Sequence, residues 1–157
     1  RFRLIPMFGW DTICCFANNA SEMKKLAARD FEDLLQCSIP AFEGLLPEPH
    51  NKGLMVLLYR TAEWHGFTKL RLHTDMTLSY LNDLTKEFGH LMHQFCSMTC
   101  TEFEMVELPQ ELDAHNHREA QAIANGHQIK ASGKHHTKNL NLFTYKYHAI
   151  GNYVSTI

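Results

Sequence analysis

Apolar positions recur at helical spacing along most of this chain, and nowhere in the convincing two-residue alternation of a paired strand. Met23, Leu26, Ala27, Phe31, Leu34, Leu35 and Ser38/Ile39 recur at helical spacing, so a helix is expected from Ser21, with Ser21 as its cap and Glu22 in its first turn. Pro40 is expected to interrupt it, leaving Ala41–Leu46 as a last kinked turn before the breaker Pro47-Glu48-Pro49. A second helix is expected over Asn51–Leu70, apolar nearly all round between Gly53 and Tyr59 and therefore central. The third is capped by Thr74-Asp75. It carries Leu81, Leu84, Phe88, Leu91, Phe95 and Met98 at spacings of three and four, a seam of knobs that suits either a helix of the same chain or a second copy. From Asp75 to Cys100 it would run ~39 Å, with Gly89 costing ~1 kcal/mol against Ala.

The pattern thins beyond it. Glu102–Leu108 extends the third helix or begins another, and Pro109 marks a break. Gln110–Ala124 reads as a polar helix whose large apolar residues are Leu112 and Ile123, projecting from the core. Residues 125–139 form a flexible basic loop, and 140–157 a C-terminal helix with the stripe Tyr147, Ile150, Val154, Ile157. At the other end, residues 1–20 read as an extended lead-in that packs on the core, with room for a short helix over Asp11–Ala17. The expected organisation is lead-in 1–20, helical bundle 21–124, basic loop 125–139 and closing helix 140–157. The fold class is all-α: about five helices, one of them long and central.

Composition bounds the possibilities without changing that picture. The 157 residues are 45% hydrophobic and include ten Phe, five Tyr and two Trp, too many for a chain without a core. The longest run free of Asp, Glu, Lys and Arg, Phe88–Thr101, falls well short of the ~20 apolar residues of a membrane span. Five Cys, an odd number with no signal peptide, read as reduced intracellular thiols. Beginning on Arg1 and ending on an apolar run, the chain reads as a piece of something longer.

Charge is unevenly distributed. Residues 1–29 carry a net +3, residues 30–119 a net −9, and residues 120–157 hold Lys130, Lys134, Lys138 and Lys146 with no acid. These four lysines, interleaved with Tyr145 and Tyr147, are the candidate nucleic-acid contacts, because such a segment neutralises phosphates and stacks on bases.

Catalytic candidates do not emerge. No Ser-His-Asp grouping, nucleophile elbow, phosphate loop or dinucleotide glycine pattern is present. The carboxylate pairs, such as Asp30/Asp33 and Glu102/Glu104/Glu107, have the spacing of wet helix faces. His90, His93, Cys96 and Cys100 put soft ligands along one helix, but zinc wants a second ligating element and Cys14-Cys15 are poorly placed to be it. The expectation is that Cys96 and Cys100 are small core residues and that the chain binds no metal or cofactor. His115-x-His117 and His135-His136 read as solvated surface, and His148 among tyrosines as a packed side chain.

Four strings carry a resemblance: Phe31-Glu32-Asp33-Leu34-Leu35-Gln36-Cys37-Ser38-Ile39-Pro40, Gly44-Leu45-Leu46-Pro47-Glu48-Pro49-His50-Asn51, Trp64-His65-Gly66-Phe67-Thr68-Lys69-Leu70-Arg71-Leu72-His73-Thr74-Asp75, and Phe143-Thr144-Tyr145-Lys146-Tyr147-His148-Ala149-Ile150-Gly151-Asn152-Tyr153-Val154. Over roughly residues 20–157 the chain resembles the carboxy-terminal part of fungal Plavaka transposases, relatives of the CACTA and Kyakuja-Dileera-Zisupton elements. The resemblance implies a parent enzyme that cuts and joins DNA with three carboxylates and two metal ions on an RNase H-like core. It places the first two acids upstream of this region and the third beyond its end, so no catalytic residue carries over. What it implies for this chain is a helical, non-catalytic, nuclear segment with scaffolding and DNA or subunit contacts. Two other readings stand beside it: a helical protein-interaction module without a DNA role, and a small metal-dependent enzyme using His93, Cys96 and Cys100.

Overall fold

The computed structural model describes residues 1–6, 16, 20, 26–103, 105–126 and 137–157. They form five α-helices: α1 (Ala28–Phe42), α2 (His50–Thr68), α3 (Asp75–Glu102), α4 (Pro109–Ala124) and α5 (Tyr145–Gly151). No strand occurs among the described residues, which is the all-α class the periodicity predicts. The chain divides into two compact units, Arg1–Phe95 with Phe143–Ile157, and Cys96–Leu142. The expected short helix over Asp11–Ala17 and the expected cap at Ser21 lie outside the described residues, Phe16 excepted.

In the first unit, α1 starts at Ala28, later than Ser21, because Leu26 and Ala27 are not helical and the Asp30 carboxylate accepts from the Ala27 N–H at 2.7 Å. An acidic third residue thus satisfies one of the orphan donors of the first turn. The helix also runs through Pro40 to Phe42. Only the proline's own bond to Gln36 is lost this near the end, and the Glu43 N–H still reaches the Ile39 carbonyl at 3.0 Å. Gly44 then turns the chain at φ +63°, a conformation open to glycine at little cost, and its N–H donates to the Asn51 side chain at 2.9 Å.

The expected face of α1 is only partly the buried one: Ser38 is inside and Leu34, Leu35 and Ile39 are half-buried, but Phe31 is 58% exposed, and Asp33, Cys37 and Ala41 complete the buried set. Small side chains at these positions let α1 lie close against α2. At the same end, Phe2 packs edge-on to Phe16 and Phe42, and the Arg1 guanidinium donates to the Glu43 carbonyl at 2.7 Å; the described first residues thus pack on α1, with a 3-10 turn over Phe2–Leu4 where extended chain was expected.

Helix α2 is central, as expected: Glu32 of α1 pairs with Lys69 at 2.7 Å, and its other side meets α3. There the Trp64 ring stacks on Phe88 with centroids 6.1 Å apart, and its indole N–H donates to Thr85 at 2.9 Å. Phe67 meets Tyr80, and Arg60 bridges to Glu87 at 3.0 Å while holding Glu63 at 2.6 Å. Helix α3 begins with a reciprocal cap in which the Thr77 N–H donates to the Thr74 hydroxyl and the Thr74 N–H to the Thr77 hydroxyl.

The third helix's seam is half internal. Leu81, Leu84 and Phe88 are buried in the first unit's own core, Leu91 and Phe95 half-buried, and Met98 is 51% exposed. Helical arithmetic explains the drift. A strict three-four repeat loses about 20° per heptad on a straight helix, and the residue five turns after Leu81 is Thr99, which is buried.

The C-terminal segment departs from a continuous helix over 140–157. Residues 140–144 are not helical, Thr144 caps α5 by accepting from the Tyr147 N–H, and α5 ends after seven residues before a 3-10 turn over Val154–Thr156. Short as it is, α5 is fixed to α3: the Tyr147 hydroxyl donates to the Gly89 carbonyl at 3.3 Å, and Tyr153 packs on Trp64.

The second unit buries Thr99, Cys100, Glu107 and Leu142. The α3 helix stops at Glu102. Residues 105–108 neither extend it nor start another; Val106 forms an isolated antiparallel bridge with Thr137. Pro109 is the first residue of α4, where its missing N–H costs nothing, and Glu111 accepts from the Leu108 N–H. Helix α4 buries no residue fully, in keeping with its polar pattern. Its half-buried stripe is Leu112, His115, Glu119 and Ala122, and beyond its end at Ala124 the chain turns at Gly126 with φ +84°.

Candidate nucleic-acid interface

The four candidate lysines part company in the structure. Lys130 and Lys134 lie outside the described residues. Lys138 is held: its backbone N–H donates to the Met105 carbonyl at 2.8 Å, and its ammonium sits 3.3 Å from Glu107, whose side chain is only 6% exposed. A buried carboxylate so placed needs its cation. Lys146 stands exposed on the first turn of α5.

Around Lys146 the sequence arranges a second feature. Thr144 holds the start of α5, and the two aromatics flanking it, Phe143 and Tyr145, are 87% and 88% exposed. Large apolar surface this open is more informative than a scattered exposed leucine. Tyr147 belongs to the other face. Its ring is half-buried, it meets His93 edge-on at 5.9 Å, and burial pushes its hydroxyl above the usual tyrosine range. So of the interleaved aromatics expected beside the lysines, Tyr145 is presented outward and Tyr147 is structural. Phe143 was not among the expected contacts; its position just before the capping Thr144 is the signal that sets it off the helix.

Among the described residues the histidines and cysteines do not gather into a multidentate, zinc-type centre. Among the described residues no three His, Cys, Asp or Glu side chains converge. His90 and His93 are exposed, while Cys96 is half-buried and Cys100 buried. Burial first, and the neighbouring Cys96 second, push the Cys100 thiol up. His115 is not simply solvated surface as expected: it is half-buried and 2.8 Å from Glu119 one turn on. His148 is exposed and lines, with Thr85, Phe88, Gly89, Tyr147, Ile150 and Gly151, a cavity of about 140 Å³.

The most developed polar cluster outside these joins α2 to α3. The Tyr80 hydroxyl donates to Glu63 at 2.6 Å and the Arg60 guanidinium binds the same carboxylate, together holding Glu63 below the ordinary carboxylate value. Every strong acceptor in it is met by a donor of the neighbouring helix or turn, the arrangement of a clamp. None of the described helices is long and apolar enough to cross a membrane. In comparisons with known proteins, no family model, no curated protein and no solved structure matches the chain.

Proposed function

We propose that this chain is a non-catalytic helical segment of a DDE-type transposase, acting in the nucleus as scaffold and DNA contact, with α5 as the contacting element. One observation carries the DNA role: Phe143 and Tyr145, both almost fully exposed, bracket the cap of α5 immediately before the exposed Lys146. An open ring beside a cation offers a stacking platform for a base and a partner for its phosphate, and base–aromatic stacking contributes about 1–3 kcal/mol per base. Lys130 and Lys134 belong to the same acid-free stretch of sequence and add to its attraction for phosphate. The four family-like strings support the transposase assignment; three of them fall on α1, α2 and the turns beside them, and the fourth on α5.

The test is a salt titration of fluorescently labelled oligonucleotides, single-stranded and duplex. Single strands are expected to bind more tightly, because their bases are free to stack. Tyr145→Ala should weaken single-strand binding about fivefold or more, and Lys146→Ala should lower the slope of log K against log salt by about 0.7. Absence of affinity for either nucleic acid at low salt refutes the proposal. That outcome would favour a protein-interaction module, a reading supported by the exposure of Leu72 (88%) and Met76 (83%) beside the turn between α2 and α3.

A further inference from the structure

Cys96 and Cys100, one turn apart in the last part of α3, line a single cavity of about 340 Å³ together with Thr101, Phe103, Thr137 and Asn139. Both are free thiols. The Cys96 S–H donates to the Leu140 carbonyl at 3.5 Å. Two soft donors, four positions apart on one helix, therefore line one space.

Geometry separates the chemistries open to such a pair. Side chains four apart on a helix have Cβ atoms about 5–6 Å from each other, whereas a disulfide needs about 3.5–4.5 Å, so α3 cannot close a Cys96–Cys100 disulfide while it stays helical. An ion between the sulfurs has no such limit. Metal–thiolate bonds of about 2.3 Å allow the sulfurs to lie up to about 4.6 Å apart on either side of it. Thiolates select soft ions, and the number of donors selects among them. With no third His, Cys, Asp or Glu converging among the described residues, a tetrahedral zinc ion would lack half its ligands.

We propose that Cys96 and Cys100 form a two-thiolate site for one soft, low-coordinate cation of the Cu(I) class. Binding exchanges protons for metal: two S–H bonds break, two Cu–S bonds form, and two protons leave to solvent. The two-coordinate product carries one negative charge. The ion replaces the Cys96 S–H donor, so loading also releases the Leu140 carbonyl from that bond.

The experiment is anaerobic titration of the reduced chain with Cu(I) against the chromophoric chelator bicinchoninate, with X-ray absorption on the loaded protein. One equivalent should be retained by the wild type and by the Cys14→Ser, Cys15→Ser double variant. Cys96→Ser and Cys100→Ser should each weaken that equivalent at least a hundredfold, their helical content checked by circular dichroism. The absorption spectrum should show two sulfur neighbours, a result that does not depend on any variant folding. Surrender of all Cu(I) to the chelator, unchanged affinity in a folded Cys96→Ser chain, or a first shell of three or more donors would overturn the site.

Discussion

Replacing Leu81 and Met98 by alanine, one at a time, tests what the seam of α3 does. The two residues hold equivalent places in the three-four repeat, yet Leu81 has no exposed surface and Met98 is half exposed. Leu81→Ala removes three carbons from a fully buried site on the same helix face as Leu84 and Phe88, themselves 2% and 5% exposed. At about 0.8 kcal/mol per methylene the transfer loss is about 2.4 kcal/mol, and the unfilled space adds to it, for a total of about 3–4 kcal/mol. Met98→Ala gives up surface that is already wet, leaves no cavity and gains helix propensity, so its cost should stay under about 1 kcal/mol. Urea unfolding followed by helical ellipticity measures both, read as a shift of midpoint at constant slope. In thermal unfolding the Leu81 variant should melt about 6–16 °C lower. A core internal to the chain makes these midpoints independent of protein concentration. If Met98→Ala proves as damaging as Leu81→Ala, or both midpoints rise with concentration, the stripe pairs between copies and the account of the core is wrong.

Two further outcomes follow from the contact between α3 and its neighbours. Glu63 is held below the ordinary carboxylate value of 4.5 by Tyr80 and Arg60, so below that pH the unfolded chain takes up the proton first and the cluster's contribution is lost as pH falls through the folded value. Glu63→Gln should therefore flatten the acid limb of stability against pH while leaving the neutral side nearly level, and an unchanged limb would show that the carboxylate is not the titrating group. Gly89→Ala should stabilise the chain by about 0.5–1 kcal/mol, since a methyl there meets the Tyr147 hydroxyl at an ordinary 3.7 Å and the helix gains propensity; a loss of stability would mean that α5 sits closer to α3 than the structure has it.

Helix existence was legible because it is written locally. The bounds of α2 and α3 follow from the Pro47–Pro49 breaker and the Thr74 cap, signals contained within a few residues of each boundary. What needed the structure was the choice of face. In α1 the expected stripe Phe31, Leu34, Leu35 and Ser38/Ile39 is half right: Leu34, Leu35 and Ile39 are half-buried and Ser38 is buried, but the deepest positions include the small Cys37 and Ala41, since close approach of two helices favours small side chains. The closing segment failed for a related reason. Tyr147, Ile150, Val154 and Ile157 do recur at helical spacing, but a stripe does not say where the turns stop: α5 ends at Gly151, with Tyr147 placed against Gly89 and Tyr153, just beyond the helix, against Trp64.

The same distinction governs the candidate interface. A count of lysines treats Lys138 and Lys146 alike, because formal charge is a local property. Whether a cation is available to phosphate depends on the acids that the fold brings to it. Glu107 lies thirty-one positions before Lys138, and only the extended run after α3 brings its carboxylate beside that ammonium. A phosphate at Lys138 would have to compete with that buried carboxylate for the ammonium. Lys146 has no such debt. Its neighbours Phe143 and Tyr145 face solvent, so any ligand that stacks on a ring there meets a cation one residue away. The proposed DNA contact therefore rests on Phe143, Tyr145 and Lys146 around one helix cap, whereas basic composition alone would have pointed equally to Lys138, which the fold already pairs.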